Sequence, residues 1–227
     1  MVSILYIVAT PIGNLKDITL RAIEVLKEVD LIACEDTRRT LKLLNVYKIK
    51  KPLVSCHARR EEEGASRIVE VLKRGKAVAY MSDSGTPGIS DPGAILVRRV
   101  RESGFKVVPL PGASALTSLL SITGYPSKEF FFEGFLSPRQ GRRKNRLKEL
   151  LDTGNGFVLY ESPYRIIKLL KDIVDLDPER WLFLGREMTK KHEEYLHGYA
   201  QDVLKILTER EQIKGEFSVF VGGKKNS

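Results

Sequence analysis

The fold of this chain is decided by the stretch Ala77-Val-Ala-Tyr-Met-Ser-Asp-Ser-Gly-Thr-Pro-Gly-Ile-Ser-Asp-Pro-Gly93. Its first five residues form an apolar run that predicts a short buried strand, and the next twelve contain three glycines, two prolines and two aspartates. Glycine lets the backbone adopt positive φ or approach another molecule closely, and proline stiffens it. A stiff loop at the carboxyl end of a strand is where open α/β sheets bind ligands. The stretch therefore predicts an α/β fold with a ligand site at Ser82–Gly93.

Short apolar strands alternate with helical patterns through the first half of the chain. The helix before the loop places Ala65, Ile68, Val69 and Leu72 at i, i+3, i+4, i+7 spacing, which is typical of an amphipathic helix. Such alternation predicts a mainly parallel sheet with helices on its faces. The predicted strands are Ile4–Ala9, Leu31–Cys34, Leu53–Cys56, Ala77–Met81 and Val107–Leu110, and the predicted helices lie near Thr19–Glu28, Thr37–Leu44, Glu61–Arg74 and Ala94–Ser103.

The pattern changes after Gly124-Tyr-Pro126, a turn typical of a domain boundary. The strands that follow are richer in aromatic residues and predict a second α/β domain with a mixed sheet. We therefore expect an N-terminal domain over residues 1–115 and a C-terminal domain over residues 116–227. The predicted strands of the second domain are Glu129–Phe135, Phe157–Glu161, Trp181–Glu187 and Glu216–Gly222, with helices near Arg142–Asp152, Tyr164–Val174 and Tyr199–Glu209.

Composition limits the class of protein. Hydrophobic residues make up 42% of the 227 residues, and the chain has no apolar run of transmembrane length, so we expect a cytoplasmic protein without membrane association. The 38 Lys and Arg outnumber the 29 Asp and Glu, giving a net charge of +9. A thermophile surface explains many charges of both signs but not the surplus of one sign. The surplus favours a polyanionic partner, most simply nucleic acid.

Three loops follow predicted parallel strands: Thr10–Asn14, Ser82–Gly93 and Pro111–Ala115. Because parallel strands end at the same edge of a sheet, we expect these loops to converge. None contains a known phosphate-binding glycine motif, so a ligand with a carboxylate, a ribose and an adenine fits better than a triphosphate. Asp83 is suited to a ribose hydroxyl or a cationic amine. The alternative is that all three are merely tight turns.

Charged segments supply the remaining candidates. Asp36 follows a strand and is either the cap of the next helix or a functional carboxylate. Five cations crowd the eight residues Arg139–Arg146, which predicts a phosphate-contacting arm, although a solvated helix face is the alternative. The mixed charges of Gly185–Glu194 suggest positioned contacts. His192 and Glu193 lack a third ligand at a sensible spacing, so we expect no metal site. The predicted RNA contacts are Arg139, Arg142, Arg143, Lys144, Arg186 and Lys190.

Six ordered motifs resemble those of the bacterial small-subunit ribosomal RNA 2′-O-methyltransferase I family, a branch of the tetrapyrrole (corrin/porphyrin) methylase superfamily. The resemblance covers essentially the whole chain, and the spacing of six motifs in order makes it specific. The motifs are Val8-Ala-Thr-Pro-Ile-Gly-Asn-Leu15, Cys34-Glu-Asp-Thr-Arg38, Ser82–Gly93, Pro111-Gly-Ala-Ser-Ala115, Tyr160-Glu-Ser-Pro-Tyr-Arg165 and Arg186-Glu-Met-Thr-Lys190.

The resemblance implies two α/β domains with S-adenosylmethionine in the cleft between them, and a homodimer. It also implies methyl transfer to the ribose 2′-hydroxyl of a cytidine in the decoding region of small-subunit rRNA, with the free rRNA or the assembled subunit as substrate. The positions that it assigns to the cofactor are Pro11, Asp83, Ser84, Gly85, Thr86, Gly112, Ser114, Ala115, Tyr160 and Met188.

The chemistry of a methyl sulfonium agrees with this resemblance. Its methyl group is already activated, so the protein has chiefly to hold the reacting atoms in line and exclude water. A ribose hydroxyl is a weak nucleophile, and the candidates for taking its proton are Asp36, Glu161 and Glu187. The alternatives are a methyltransferase for a tetrapyrrole or another small substrate, and a non-catalytic RNA-binding protein of ribosome assembly. The aromatic run Phe130–Phe132 is explained either by a strand buried on both faces within one domain or by a homodimer, in which a second copy covers a ring. The family resemblance favours the homodimer.

Overall fold

The structure, a computed structural model, describes residues 3–57, 60–125 and 129–223. The chain divides into two compact units, Met1–Ser114 and Ala115–Ser227. The sequence places this boundary one residue later. Pro126, in the predicted boundary turn, lies outside the described residues.

The first unit contains a five-stranded parallel sheet in the order β3-β2-β4-β1-β5. The mainly parallel sheet predicted from the alternating pattern is thus confirmed. All five strands end at one edge, and the loops at this edge carry the candidate ligand residues. The strands are β1 (Ile4–Val8), β2 (Leu31–Cys34), β3 (Leu53–Ser55), β4 (Val78–Met81) and β5 (Lys106–Leu110). The helices are α1 (Leu20–Glu28), α2 (Thr37–Val46), α3 (Glu61–Lys73) and α4 (Ala94–Glu102), with a 3₁₀ turn at Leu15–Asp17.

The sheet of this unit is buried on both faces, as a parallel sheet requires. All four residues of β4 are buried: Ala79 and Met81 pack with α1 and α2, and Val78 and Tyr80 pack with α3 and α4. The stripe predicted on α3 is buried in the second of these clusters. Each large apolar side chain buried in this way contributes about 1.5–3 kcal/mol. Such packing fixes the strand ends and therefore the positions of the loops that follow them.

The second unit contains a mixed five-stranded sheet in the order β6-β7-β10-β8-β9. Only β6 and β7 are parallel, so the predicted mixed sheet is confirmed. The strands are β6 (Phe130–Phe135), β7 (Gly156–Glu161), β8 (Trp181–Arg186), β9 (Glu194–Tyr199) and β10 (Phe217–Val221). The helices are α5 (Ala115–Ile122), α6 (Gln140–Asp152), α7 (Ile166–Leu176) and α8 (Ala200–Thr208).

Helices α6, α7 and α8 cover one face of the second sheet, where Leu147, Leu170 and Val203 belong to a single buried cluster. The outer strands β6 and β9 leave aromatic rings exposed, and β9 was not predicted from the sequence. Its side chains alternate between half-buried and exposed, so it lacks the apolar run of an inner strand. Across the part of the chain that the structure describes, no helix is long and apolar enough to cross a membrane.

Candidate functional site

The three predicted loops do converge at the carboxyl edge of the first sheet. Thr10 and Gly85 pair as an antiparallel bridge, in which the Thr10 N–H donates to the Gly85 oxygen at 2.8 Å and the Gly85 N–H donates to the Thr10 oxygen at 3.0 Å. The Thr86 hydroxyl donates to the Ala113 oxygen at 3.3 Å and so joins the third loop to the second. These contacts make one surface from segments far apart in the sequence.

Two glycines allow these loops to approach so closely. Gly85 has a φ of 77°, in the left-handed region that favours glycine. Gly112 has no room for a side chain, because a Cβ there would lie 2.9 Å from the Cβ of Ala9. The loop after β5 therefore packs directly against the end of β1.

Asp83 connects a fourth loop to the same edge. Its Oδ1 accepts a hydrogen bond from the Asp36 N–H at 3.0 Å, and its Oδ2 lies 3.3 Å from the guanidinium of Arg39. Asp83 is half-buried, so its carboxylate contacts the protein and still faces solvent. The geometry leaves it suited to a hydroxyl or a cationic group of a ligand.

The edge around Asp83 is electronegative. Burial and the nearby Asp83 raise the pKa of Glu35 above its ordinary value. Burial, followed by repulsion from Glu35 and Asp83, raises the pKa of Asp91 to about 6. Carboxylates this close together favour a cation beside them, and Arg39 already lies beside Asp83.

Glu61 stabilises this region in a way that its local sequence does not predict. Its buried Oε1 accepts hydrogen bonds from the N–H groups of Gly93, Ile95 and Leu96 at 2.9, 3.0 and 3.2 Å. It thereby caps α4, whose own cap residue, Gly93, has no side chain. A carboxylate in this place fills the anion site that a helix N-terminus offers, so α4 does not bind a phosphate there. The sequence around Glu61 does not indicate this role, because the helix that it caps begins more than thirty residues later. The glycine at the start of α4 indicates only that another residue has to cap the helix.

The predicted cofactor positions fall into two groups. Those before residue 115 lie at the carboxyl edge of the first sheet, and Pro11 among them is buried whereas Ser84 is exposed. Tyr160 lies on β7, and Met188 lies two residues after the end of β8. Ser218 of β10 pairs with both Tyr160 and Gly185, so these positions share one region of the second sheet. Ala115 is the first residue of α5.

The three predicted bases are already engaged by other groups. Asp36 caps α2, and hydrogen bonds from the side chain and backbone of Arg38 lower the pKa of Asp36 to about 2. Glu161 is buried and accepts hydrogen bonds from the Ser162 N–H at 2.8 Å and from Arg165 Nε at 2.7 Å. Asp36 is therefore the cap of α2, which was one of its two predicted roles. The hydrogen bonds of Asp36 and Glu161 do not favour either carboxylate as a base.

Glu187 is likewise occupied. Burial alone would raise the pKa of its carboxyl, but hydrogen bonds from Lys190 and from the Glu216 N–H outweigh burial and lower that pKa below its ordinary value. A carboxylate held in its charged form is a weak proton acceptor. These hydrogen bonds do not favour Glu187 as a base, and that role stays a prediction.

The structure contradicts the predicted phosphate-contacting arm at Arg143. Residues 140–152 form the regular helix α6, and Arg143 is buried at 3% exposure with its Nε 2.7 Å from Oδ2 of Asp172. It therefore cannot reach a phosphate. Lys144 pairs with Asp175 at 2.7 Å, and Arg146 pairs with Glu133 at 2.7 Å. The sequence showed no balancing acids nearby because the partners of Arg143 and Lys144 lie on another helix.

The predicted RNA contacts after β8 are also paired. Arg186 lies 2.7 Å from Glu194, and Lys190 lies 2.8 Å from both Glu187 and Glu216. Arg139 and Arg142 differ from these cations, since both are exposed and neither has an ion pair within residues 3–57, 60–125 and 129–223. The same described residues contain no group of three His, Cys, Asp or Glu side chains that could hold a metal ion.

Comparison with known proteins identifies the family. The family model described as Tetrapyrrole (Corrin/Porphyrin) Methylases matches residues 4–204. The chain belongs to this family. The resemblance inferred from the six motifs is thereby confirmed. The chain is 46% identical to the ribosomal RNA small subunit methyltransferase I of Thermotoga maritima, over 97% of this chain and 98% of that protein.

Other comparisons agree with this assignment. The chain is 44% identical to the ribosomal RNA small subunit methyltransferase I of Borrelia garinii subsp. bavariensis, over 96% of this chain and 97% of that protein. Its fold is similar to the crystal structure of uroporphyrin-III-C-methyltransferase from Thermus thermophilus, with a TM-score of 0.65 and 20% identity. That similarity covers 97% of this chain and 94% of the other and confirms the predicted fold class. The family uses S-adenosylmethionine, and this protein is a methyltransferase.

Proposed function

We propose that this protein transfers the methyl group of S-adenosylmethionine to the ribose 2′-hydroxyl of a cytidine in the decoding region of small-subunit rRNA, in the cytoplasm. The observation that carries the proposal is the identity of 46% over nearly the full length of both chains to a ribosomal RNA small subunit methyltransferase I. The geometry of the first unit supports it, because four loops meet at an electronegative strand edge that suits a cationic methyl donor.

The residues of the first unit fit S-adenosylmethionine in chemical type. When bound, the donor supplies an activated methyl sulfonium. The Asp83 carboxylate would accept hydrogen bonds from its hydroxyl or amino groups, and Gly85 and Gly112 let the loops around Asp83 pack closely against one another. The loops would hold the donor in one orientation, which lowers the barrier by fixing the reacting atoms in line.

RNA binding would depend on the cations that remain available. Arg139 precedes α6 and Arg142 lies in its first turn, and both are exposed. Guanidinium groups bind phosphate oxygens in bidentate fashion, so this end of α6 would contact the RNA backbone. The ion-paired cations of the same helix would contribute less, because each already has a carboxylate partner.

We also propose a homodimer. The edge strand β6 leaves Phe130, Phe131 and Phe135 exposed at 42, 43 and 57%. Exposed aromatic rings on a sheet edge are a liability that a second copy would cover. Sedimentation equilibrium at micromolar concentration should give twice the monomer mass of 25.6 kDa, and the monomer mass would refute the dimer.

The activity is tested by incubating the purified protein with S-adenosylmethionine carrying a tritiated methyl group and three substrates in parallel. These are assembled small subunits, free small-subunit rRNA and a tetrapyrrole. Nucleoside mass spectrometry of the labelled RNA should find a 2′-O-methylcytidine. Label on the tetrapyrrole alone would support the alternative substrate, and a label on a base instead of a ribose would refute the 2′-hydroxyl as acceptor.

A further inference from the structure

The turn that follows β8 has an unusual backbone. Glu187 and Thr189 have φ angles of 50° and 68°, in the left-handed region, although neither is glycine. Such conformations cost free energy and persist only where the surrounding contacts enforce them. The turn is therefore held by its neighbours and not by the preferences of its own residues.

Those neighbours lie in the segment that leads into β10. The Glu187 N–H donates to the Glu216 oxygen at 3.0 Å, and the Glu216 N–H donates to Oε1 of Glu187 at 2.9 Å. Lys190 Nζ donates to Glu187 Oε1 and to Glu216 Oε2, at 2.8 Å each. The Lys190 N–H also donates to the Glu187 oxygen at 3.0 Å. Glu187 thus takes part in four hydrogen bonds, two that tie the turn to Glu216 and two with Lys190 inside the turn.

Gly215 makes this arrangement possible. It has a φ of 92°, and a Cβ at this position would overlap Cγ of Glu187 and lie 2.7 Å from its carboxyl carbon. The Glu187 side chain therefore packs directly on the backbone of Gly215. A side chain at this position would push Glu187 out of its hydrogen bonds.

The turn decides where Met188 and Thr189 lie. Met188 is buried at 7% exposure, and its Sδ would lie 2.5 Å from a Cβ on Gly185. The Thr189 N–H donates to the carboxylate of Glu193. A shift of Glu187 would therefore move both residues that follow it.

We propose that Glu187 is a positioning residue, which holds the turn so that Met188, one of the donor positions that the family resemblance implies, can bind the methyl donor. The inference rests on the proposed function and adds a residue that acts on the donor through the turn. The competing explanation is that the hydrogen bonds of Glu187 only stabilise the second unit. A positioning role predicts that variants of the turn lose donor affinity, whereas a merely stabilising role predicts that they lose only thermal stability.

A matched pair of glycine substitutions separates them. Gly215→Ala displaces Glu187, whereas Gly154→Ala is the control, because Gly154 also has a positive φ of 77° but nothing lies within 4 Å of its Cβ. Both variants should unfold at a lower temperature than the wild type. Only Gly215→Ala should raise the Kd for S-adenosylmethionine, by about tenfold, in titration calorimetry. Hydrogen exchange without the donor should be faster at residues 187–190 in that variant alone.

A second variant keeps the test independent of steric damage. Glu187→Gln retains an oxygen that can accept from the Glu216 N–H but loses the charge that holds Lys190. We expect the Kd and the KM for S-adenosylmethionine to rise about threefold, with the KM for small subunits unchanged. A merely stabilising role would leave both donor constants at their wild-type values.

The outcomes are distinct. Wild-type donor affinity in both Gly215→Ala and Glu187→Gln would overturn the inference and leave the proposed function intact. Equal loss of affinity in Gly215→Ala and Gly154→Ala would also overturn it, because general destabilisation would then be the cause. A wild-type protein that does not bind S-adenosylmethionine would overturn the proposed function and this inference together.

Discussion

Gly112→Ala tests whether the convergence of the loops creates the donor site. The new Cβ would lie 2.9 Å from the Cβ of Ala9 and 3.4 Å from the Ala9 oxygen. Carbon atoms pack at about 3.5–4.0 Å, so the backbone segments at Ala9 and Gly112 must separate by more than about half an ångström. Neither contact involves a flexible side chain, because both atoms are on or next to the backbone. The loop after β5 therefore has to move.

The size of the effect follows from this displacement. Overpacking of this kind costs about 1–3 kcal/mol of stability. The hydrogen bond from the Thr86 hydroxyl to the Ala113 oxygen, at 3.3 Å, lies next to the substitution and would lengthen. The loss of one or two hydrogen bonds to the donor costs about 1–2 kcal/mol, which corresponds to a Kd for S-adenosylmethionine raised about 5- to 30-fold. Titration calorimetry measures this change directly.

Two further variants make the reasoning refutable. Ala9→Gly removes the atom that lies 2.9 Å from the new Cβ. Adding Gly112→Ala to the Ala9→Gly protein should therefore reduce donor affinity much less than adding it to the wild type. Gly141→Ala in α6 is the control, since nothing lies within 4 Å of its Cβ, and it should leave the affinity unchanged. A Gly112→Ala protein with wild-type affinity, or a double variant without recovery, would refute the role assigned to this contact.

Three further predictions follow from particular contacts. The pKa of Asp91 is raised to about 6 from 3.8, so the folded protein binds more protons between these values and its stability falls as pH rises through them. Because solvent screens this half-buried carboxylate, Asp91→Asn should stabilise the protein at pH 8 by about 1 kcal/mol, seen as a higher melting temperature, and change the melting temperature little at pH 4. Glu61→Ala should lower the free energy of unfolding in urea by about 3 kcal/mol and Glu61→Gln by about 1 kcal/mol, because only the first leaves the α4 N–H groups unpaired. Equal losses in the two variants would contradict the role of Glu61 as a cap. Arg139→Ala/Arg142→Ala should flatten the slope of log RNA affinity against log salt by about 1.5–2, and the control Lys144→Ala/Arg146→Ala, which removes two paired cations, should flatten it less.

The sequence was sufficient to predict the strand edge that carries the donor candidates. The run ending at Met81 and the helical stripe on α3 are local patterns, and local patterns determine which residues a sheet buries. Parallel pairing then forces the loops after β1, β4 and β5 to one edge. The Thr10–Gly85 bridge and the Thr86–Ala113 hydrogen bond follow from that topology.

Contacts between distant segments could not be predicted in the same way. Arg143 looked like one of several free cations, because its partner Asp172 lies on α7 and nothing near Arg143 in the sequence indicates a buried ion pair. Glu61 caps a helix that begins at Ala94, far along the chain. The turn at Glu187 gave no signal either, because nothing in the local sequence marks the positive φ of Glu187 and Thr189. In each case a partner far along the chain, and not the local sequence, decides the role of the residue.

If the donor binds as proposed, the carboxylates at the strand edge would act on its binding and not on the rate of transfer. Burial and the charge of Asp83 raise the pKa of Glu35, and burial followed by the charges of Glu35 and Asp83 raises the pKa of Asp91, so these carboxylates favour a cation beside them. The sulfonium of the donor is fully charged before transfer and loses that charge as the methyl group leaves. Negative charge beside it would stabilise the bound donor more than the transition state, and such binding does not increase the rate. The acceleration in the proposed reaction must therefore come from the orientation of donor and ribose, which depends on the rigid loops and on the turn held by Glu187.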